Sequence, residues 1–164
     1  MEAMLKIVDR ISSVFIAISC TMLVVLVAVT LTEVFARYVL ESPTLWAFDI
    51  VNLANGALFL LAAAFAERAN RHVNIDVFSR LMPEPVRRAL FTALTIMFVL
   101  PTIFFLAWVA TEQTWNMIQS GRPVESAWAP PRWPFYLPMA VGLWSLWLQC
   151  QASTLRNVAA MRGA

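Results

Sequence analysis

The chain has 164 residues, of which 60% are hydrophobic and 13% are charged, and its formal net charge is +2. Soluble globular domains carry about 25% charged residues, so this chain lacks the polar surface that a water-soluble fold needs. The small net charge and the scattered basic residues also exclude a nucleic-acid-binding surface, which requires a basic patch. We therefore expect an all-α membrane protein that forms a single domain over residues 1–164.

Four apolar stretches are each long enough to cross a bilayer, which takes about 20 helical residues. Because hydrocarbon offers no partners for backbone amides, each stretch is predicted to be a helix that satisfies its own hydrogen bonds. The four predicted spans cover about residues 11–31, 45–66, 89–110 and 133–152. The fourth is the least regular, since Pro134 and Pro138 stand near its start and Gln149 near its end.

The first span has an alternative interpretation as a cleaved signal peptide, because Lys6 and Arg10 precede an apolar run. The run at residues 11–31 is longer than the roughly 7–15 residues of a signal-peptide core. It leads to Glu33 rather than to a small-residue cleavage site. We therefore predict a retained transmembrane helix.

The orientation of the spans follows from the basic residues. Nine of the twelve lysines and arginines fall before the first span, between the second and third spans, or after the fourth. The other three, Arg37, Arg122 and Arg132, fall on the opposite side. Since basic residues close to span ends are retained in the cytoplasm, both termini are predicted to be cytoplasmic.

The connection between the second and third spans contains a short amphipathic stretch at residues 72–82. At about 100° per residue, its apolar side chains share one arc, and Asp76 and Arg80 lie opposite, one turn apart. This pattern predicts a short helix on the cytoplasmic surface that ends at Pro83. His72 and Asp76 fall near its start, where polar side chains cap exposed backbone amides.

Polar residues near the opposite membrane surface form a second candidate site. Glu33 and Arg37 are one helical turn apart and can form an ion pair. Asp49 lies about one turn into the second span, so Arg37 has a second candidate partner across the two helices. Trp46 and Trp133 fall on the same side, where indole rings lie at the headgroups. We expect no charged residue at the middle of a span, which favours helix contacts over a solute path.

The sequence offers little for catalysis or for binding a cofactor. It contains one histidine, and its two cysteines, Cys20 and Cys150, lie far apart in apolar runs. A haem held by two histidines of this chain is therefore excluded. Neither a metal-binding cluster nor a nucleophile with an activating base is recognisable. We predict a protein with no catalytic residues, no cofactor and no metal.

Four short motifs follow one another along nearly the whole chain. They are residues 33–39; Pro43 and Trp46 with the acidic Asp49; residues 72–76, with His72 and Asp76; and Trp133, Pro138 and Gly142. In this order they resemble the small membrane subunit of tripartite ATP-independent periplasmic (TRAP) transporters. That family usually has glutamate at the position of Asp49, so this chain keeps the charge on a shorter side chain.

The resemblance implies a role in uptake. In that family a periplasmic binding protein captures an organic anion, typically a carboxylate, and a large membrane subunit carries it inward, driven by sodium. The small subunit accompanies the large one and extends its stationary scaffold. The implied location is the bacterial inner membrane, and the implied partners are the large membrane subunit, the periplasmic solute-binding protein and the lipid bilayer. The residues expected at structural or interface positions are Glu33, Arg37, Trp46, Asp49, His72, Asp76, Arg80, Trp133 and Pro138.

Two hypotheses from other classes remain open. The first is a membrane anchor for another complex, such as a redox enzyme; a Soret absorbance band in the purified protein would support it. The second is a self-sufficient small transporter or channel, which uptake by this chain alone in liposomes would support.

Overall fold

The structure, a computed structural model, describes residues 2–68 and 84–162. The regular elements within these ranges are helices, which confirms the predicted all-helical class. They are α1 (Glu2–Tyr38), α2 (Ala47–Arg68), α3 (Glu84–Leu94), a π-helical turn (Thr95–Val99), α4 (Leu100–Ser120) and α5 (Trp133–Arg162). The surface helix predicted at residues 72–82 lies outside the described residues.

Three helical segments within the described ranges are long and apolar enough to cross a membrane. They are Ile7–Tyr38, Ala47–Arg68 and Ala89–Ser120, and they contain most of the first three predicted spans. The fourth predicted span, residues 133–152, lies within α5, whose aliphatic content is diluted by Pro138 and Gln149. Membrane crossing by α5 and the cytoplasmic location of both termini stay predictions.

Helix α5 lies at the centre of the bundle. It packs along α2 on one side and along α4 on the other, while α1 packs mainly along α2. Ala140, Leu143 and Gln149 of α5 are among the buried side chains. Because neighbouring helices cover α5 on two sides, it tolerates polar side chains that a lipid-facing helix would expose to hydrocarbon.

The close contact between α2 and α5 depends on Gly142. A Cβ atom at this position would lie 2.7 Å from both the carbonyl carbon and the carbonyl oxygen of Leu60. Contacts of this kind are typical of membrane helices, in which small residues allow two backbones to meet. Gly142 therefore sets the distance between the second and the last helix.

The π-helical turn joins α3 to α4 without interrupting the helix. Its last hydrogen bond runs from the amide of Leu100 to the carbonyl of Thr95, five residues back. Pro101 follows, and a proline inside a helix has no N–H to donate to the carbonyl four residues before it. The wider turn accommodates this proline, and the helix continues to Ser120, where Gly121 ends it with a φ of 58°.

The bundle has two distinct ends. The loop end holds the connections at residues 39–46 and 121–132, and the terminal end holds the start of α1 and the end of α5. At the loop end the second connection forms a small hairpin, in which Pro123 and Pro131 make an antiparallel bridge. The amide of Val124 donates to the carbonyl of Pro130 at 2.8 Å within it.

Candidate functional site

Glu33 organises the first connection at the loop end. Its Oε1 atom accepts hydrogen bonds from Arg37 Nη2 at 2.6 Å and from Arg37 Nε at 3.0 Å. Its Oε2 atom accepts the backbone amide of Thr44 at 3.0 Å and also the Thr44 hydroxyl. Of the two candidate partners of Arg37, the structure thus shows Glu33, and the same carboxylate anchors the segment that leads into α2.

Asp49 anchors the second connection. It is buried, with 2% of its surface exposed, and its Oδ2 atom accepts the Ser126 hydroxyl at 2.6 Å. Ser126 Oγ in turn accepts the amide of Ala129 at 3.1 Å. Asp49 lies in the first turn of α2, where the helix dipole favours a negative charge. Arg37 thus pairs with Glu33 and not with Asp49. The hydrogen bond between Asp49 and Ser126 was not predicted from the sequence.

Asp9 connects three helices at the terminal end. Arg156 of α5 places its Nη2 atom 2.8 Å from each carboxylate oxygen of Asp9. Arg68 of α2 places its Nε atom 3.6 Å from Asp9 Oδ1, and its Nη1 atom donates to the Asp9 carbonyl at 3.0 Å. One carboxylate on α1 thus holds the ends of α2 and α5.

Gln149 extends these contacts into the bundle. Its side chain is fully buried; its Oε1 atom accepts the Ser12 hydroxyl at 2.9 Å, and its Nε2 atom lies 3.4 Å from Asp9 Oδ1. We call Asp9, Ser12, Arg68, Gln149 and Arg156 the terminal cluster. The sequence analysis used Arg68 and Arg156 only to predict the orientation of the spans. It did not predict that they meet Asp9 in a cluster. The available signal was an acidic residue at the edge of one span, matched by arginines at the corresponding edges of two others.

The two ends are separated by about the thickness of a membrane. Asp49 and Arg68 are 19 residues apart along α2, which corresponds to about 28 Å at 1.5 Å per residue. The hydrocarbon core of a bilayer is about 30 Å thick. The charged contacts therefore fall where the chain would leave the hydrocarbon on either side.

An open groove of about 420 Å³ runs along α5 between α1 and α4. Its walls are almost entirely apolar and include Phe15, Trp115 and Leu148. Ser145 also lines it, and the buried Ser145 hydroxyl has no hydrogen-bond partner among the residues that the structure describes. The groove is thus an apolar surface feature with one unsatisfied polar atom.

The remaining predicted site residues divide into two groups. Trp46 immediately precedes α2, and its carbonyl accepts the amide of Ile50 at 3.1 Å. Trp133 is the first residue of α5, and Pro138 lies within the second turn. His72, Asp76 and Arg80 lie outside the described residues. Within the described ranges, no three His, Cys, Asp or Glu side chains are grouped so as to hold a metal ion.

The family of the chain follows from its sequence. Residues 26–160 match the family described as the DctQ component of tripartite ATP-independent periplasmic transporters. The chain belongs to this family. As a DctQ component with three apolar helices of membrane-spanning length, it is a multi-pass protein of the inner membrane.

Two curated proteins are similar to this DctQ component over part of their length. The sialic acid TRAP transporter small permease protein SiaQ of Vibrio cholerae is 31% identical over 91 residues, which cover 56% of this chain and 51% of SiaQ. The sialic acid TRAP transporter permease protein SiaT of Haemophilus influenzae is 28% identical over 68 residues, which cover 42% of this chain and 11% of SiaT. The matched region thus spans about half of SiaQ and about a tenth of SiaT.

Proposed function

We propose that this chain is the non-catalytic small permease subunit of a sodium-driven, binding-protein-dependent transporter for organic acids. Its proposed partners are the large membrane subunit, which carries the solute, and a periplasmic solute-binding protein. Membership of the DctQ family supports this role. Both curated relatives are named for the carboxylate sialic acid, which supports an organic acid as the transported solute.

The terminal cluster is the observation on which the scaffold role rests. Asp9 binds Arg156 and lies beside Arg68, so the ends of α1, α2 and α5 are held together. At the loop end, Glu33 and Asp49 tie both connections to the helices. A bundle fixed at both ends is suited to remain stationary while a neighbouring subunit moves.

The proposed topology has four spans, of which α5 is the fourth. The terminal cluster then lies at the cytoplasmic surface, and the Asp49–Ser126 contact lies at the periplasmic surface. In this arrangement residues 72–82, with His72, Asp76 and Arg80, form an additional brace on the cytoplasmic side. Trp46 and Trp133 anchor the periplasmic ends of α2 and α5 at the headgroups.

Reconstitution into liposomes tests the proposed function directly. The large subunit, the solute-binding protein and a sodium gradient are combined with or without this chain, and uptake of a radiolabelled carboxylate is measured. We expect uptake only in the presence of the large subunit, and a several-fold higher rate when this chain is added. Uptake by this chain alone, or an unchanged rate without it, would contradict the scaffold role.

A further inference from the structure

One face of α4 points away from the bundle and is unusually polar. Taking 100° per residue, the arc within about 60° of the direction of Glu112 includes the exposed apolar residues Phe105 and Val109. It also includes five residues with polar groups, which are Trp108, Glu112, Trp115, Asn116 and Gln119. All five are exposed, whereas Ala107, Ala110 and Thr114 on the opposite side of the helix are buried. We call these five exposed residues the outward face of α4. It combines a carboxylate, two amides and two indoles on a helix of membrane-spanning length.

The contacts of α4 with α5 define the depth of Glu112. The indole Nε1 of Trp144 donates to Thr111 Oγ1 at 2.9 Å, so the residue before Glu112 is level with this part of α5. Two residues before Trp144, Gly142 touches Leu60 of α2.

Leu60 lies near the middle of α2. It is about 17 Å along the helix from Asp49 and about 12 Å from Arg68, at 1.5 Å per residue. Glu112 is therefore close to mid-depth of the proposed membrane slab. The sequence pattern predicted that the third span ends at residue 110 and that no charge lies at mid-depth. The helix instead continues to Ser120, which carries Glu112 inside the slab.

Glu112 has no hydrogen bond or ion pair with any other residue that the structure describes. A carboxylate exposed to hydrocarbon is strongly disfavoured, and intramembrane charges normally face protein or water and pair with a partner. A lipid acyl chain provides neither a hydrogen-bond donor nor a positive charge. The outward face of α4 thus requires a neighbour that provides both.

We propose that the outward face of α4 is the docking surface for a transmembrane helix of the large subunit, and that this helix carries an arginine or lysine which pairs with Glu112. The inference rests on the proposed function and specifies which surface makes the contact. The exposed rings of Trp108 and Trp115 flank Glu112 and offer cation–π contacts to the same basic side chain. The apolar groove described above borders this face at Trp115 and accommodates apolar side chains of the incoming helix.

Site-specific photo-crosslinking in the assembled complex provides the first test. A photoreactive amino acid replaces Asn116 on the outward face or, as a matched control, Phe59 on α2, which is 68% exposed and lies at a similar depth. We expect position 116 to crosslink to the large subunit and position 59 to crosslink to lipid. Crosslinking of the large subunit from position 59 but not from position 116 would overturn the proposed surface.

Charge variants of Glu112 provide the second test. Breaking a buried ion pair commonly weakens association by tenfold or more, so Glu112→Lys should lower the amount of large subunit that co-purifies with the tagged chain by about tenfold. Glu112→Asp should retain most of it. The melting temperature of the isolated chain should be nearly unchanged in both variants, because the exposed Glu112 side chain makes no hydrogen bond or ion pair with a described residue of its own chain. A lysine- or arginine-to-glutamate change in the intramembrane part of the large subunit should restore assembly with Glu112→Lys.

The outcomes separate this inference from the proposed function. If wild-type chain co-purifies with the large subunit but Glu112→Lys does so equally well, the inference fails and the scaffold role survives. If the wild-type chain does not associate with the large subunit at all, both fail together.

Discussion

The Nη2 atom of Arg156 lies 2.8 Å from both carboxylate oxygens of Asp9, although 147 residues separate the two in the sequence. Replacing Arg156 with alanine leaves the Asp9 carboxylate with two weaker contacts, Gln149 Nε2 at 3.4 Å and Arg68 Nε at 3.6 Å. Because both side chains of the pair are partly exposed, we expect a loss of about 1 kcal/mol in the free energy of unfolding. The measurement is the melting temperature of the purified chain in detergent.

Arg132→Ala is the matched control for this prediction. Arg132 pairs at 3.4 Å with Glu125, whose side chain is 94% exposed, so its removal should leave the melting temperature nearly unchanged. An equal drop in the two variants would contradict a specific role for the terminal cluster.

Gly142→Ala should destabilise the bundle by forcing two helices apart. The new Cβ atom would lie 2.7 Å from the Leu60 backbone, so α2 and α5 must separate, at a cost of about 1–3 kcal/mol. Gly56→Ala is the control, because a Cβ atom there would have no neighbour within 4 Å and alanine is the better helix former. The measurement is thermal unfolding of both variants in the same detergent. Equal melting temperatures would contradict the close contact between Gly142 and the backbone of Leu60.

The hydrogen bond between Ser126 and Asp49 should appear as a coupling energy. In a double-mutant cycle of Asp49→Ala and Ser126→Ala, we expect the effects on unfolding to be non-additive by about 1 kcal/mol. Each single variant should also expose the 121–132 connection to protease, because the hairpin loses its anchor. Strictly additive effects would show that the two residues act independently.

Replacing Glu33 should destabilise the protein more than replacing its ion-pair partner Arg37. Arg37→Ala removes one exposed partner, whereas Glu33→Ala also frees the amide and hydroxyl of Thr44. We therefore expect Glu33→Ala to lower the melting temperature more than Arg37→Ala does, because an exposed ion pair alone contributes little. Melting temperatures and yields of the two variants provide the comparison, and a larger effect of Arg37→Ala would reverse this order.

Cysteine labelling checks the four-span topology. In a background without Cys20 and Cys150, single cysteines replace Glu125 at the loop end and Asn157 at the terminal end. A membrane-impermeant thiol reagent added to spheroplasts should label the cysteine at position 125, and the one at position 157 only after the membrane is opened. Labelling of both in intact spheroplasts would rule out a cytoplasmic terminal end.

The sequence predicted those features that depend on local spacing. The length of the apolar stretches identified the long helices, and the one-turn spacing of Glu33 and Arg37 identified their ion pair. The partners of Asp49 and Asp9 could not be predicted in this way, because Ser126 and Arg156 lie 77 and 147 residues away and meet them only after the helices pack. The exposed position of Glu112 depends likewise on the register of α4 against α5, which hydropathy does not encode.

The π-helical turn at Thr95–Val99 also determines how the side chains of α3 are rotated relative to those of α4. In an uninterrupted α-helix, Leu94 would share the azimuth of Glu112, because 18 residues make five complete turns. The π turn contains one more residue than an α-helical turn, so the side chains of α3 are rotated by about 100° relative to those of α4. Val86, Leu90 and Leu94 are exposed on α3. The rotation places Leu94 about 100° from the direction of Glu112, Leu90 about 60° and Val86 about 20°. A helix packed along the outward face of α4 would therefore continue onto Val86 of α3 and leave Leu94 to one side.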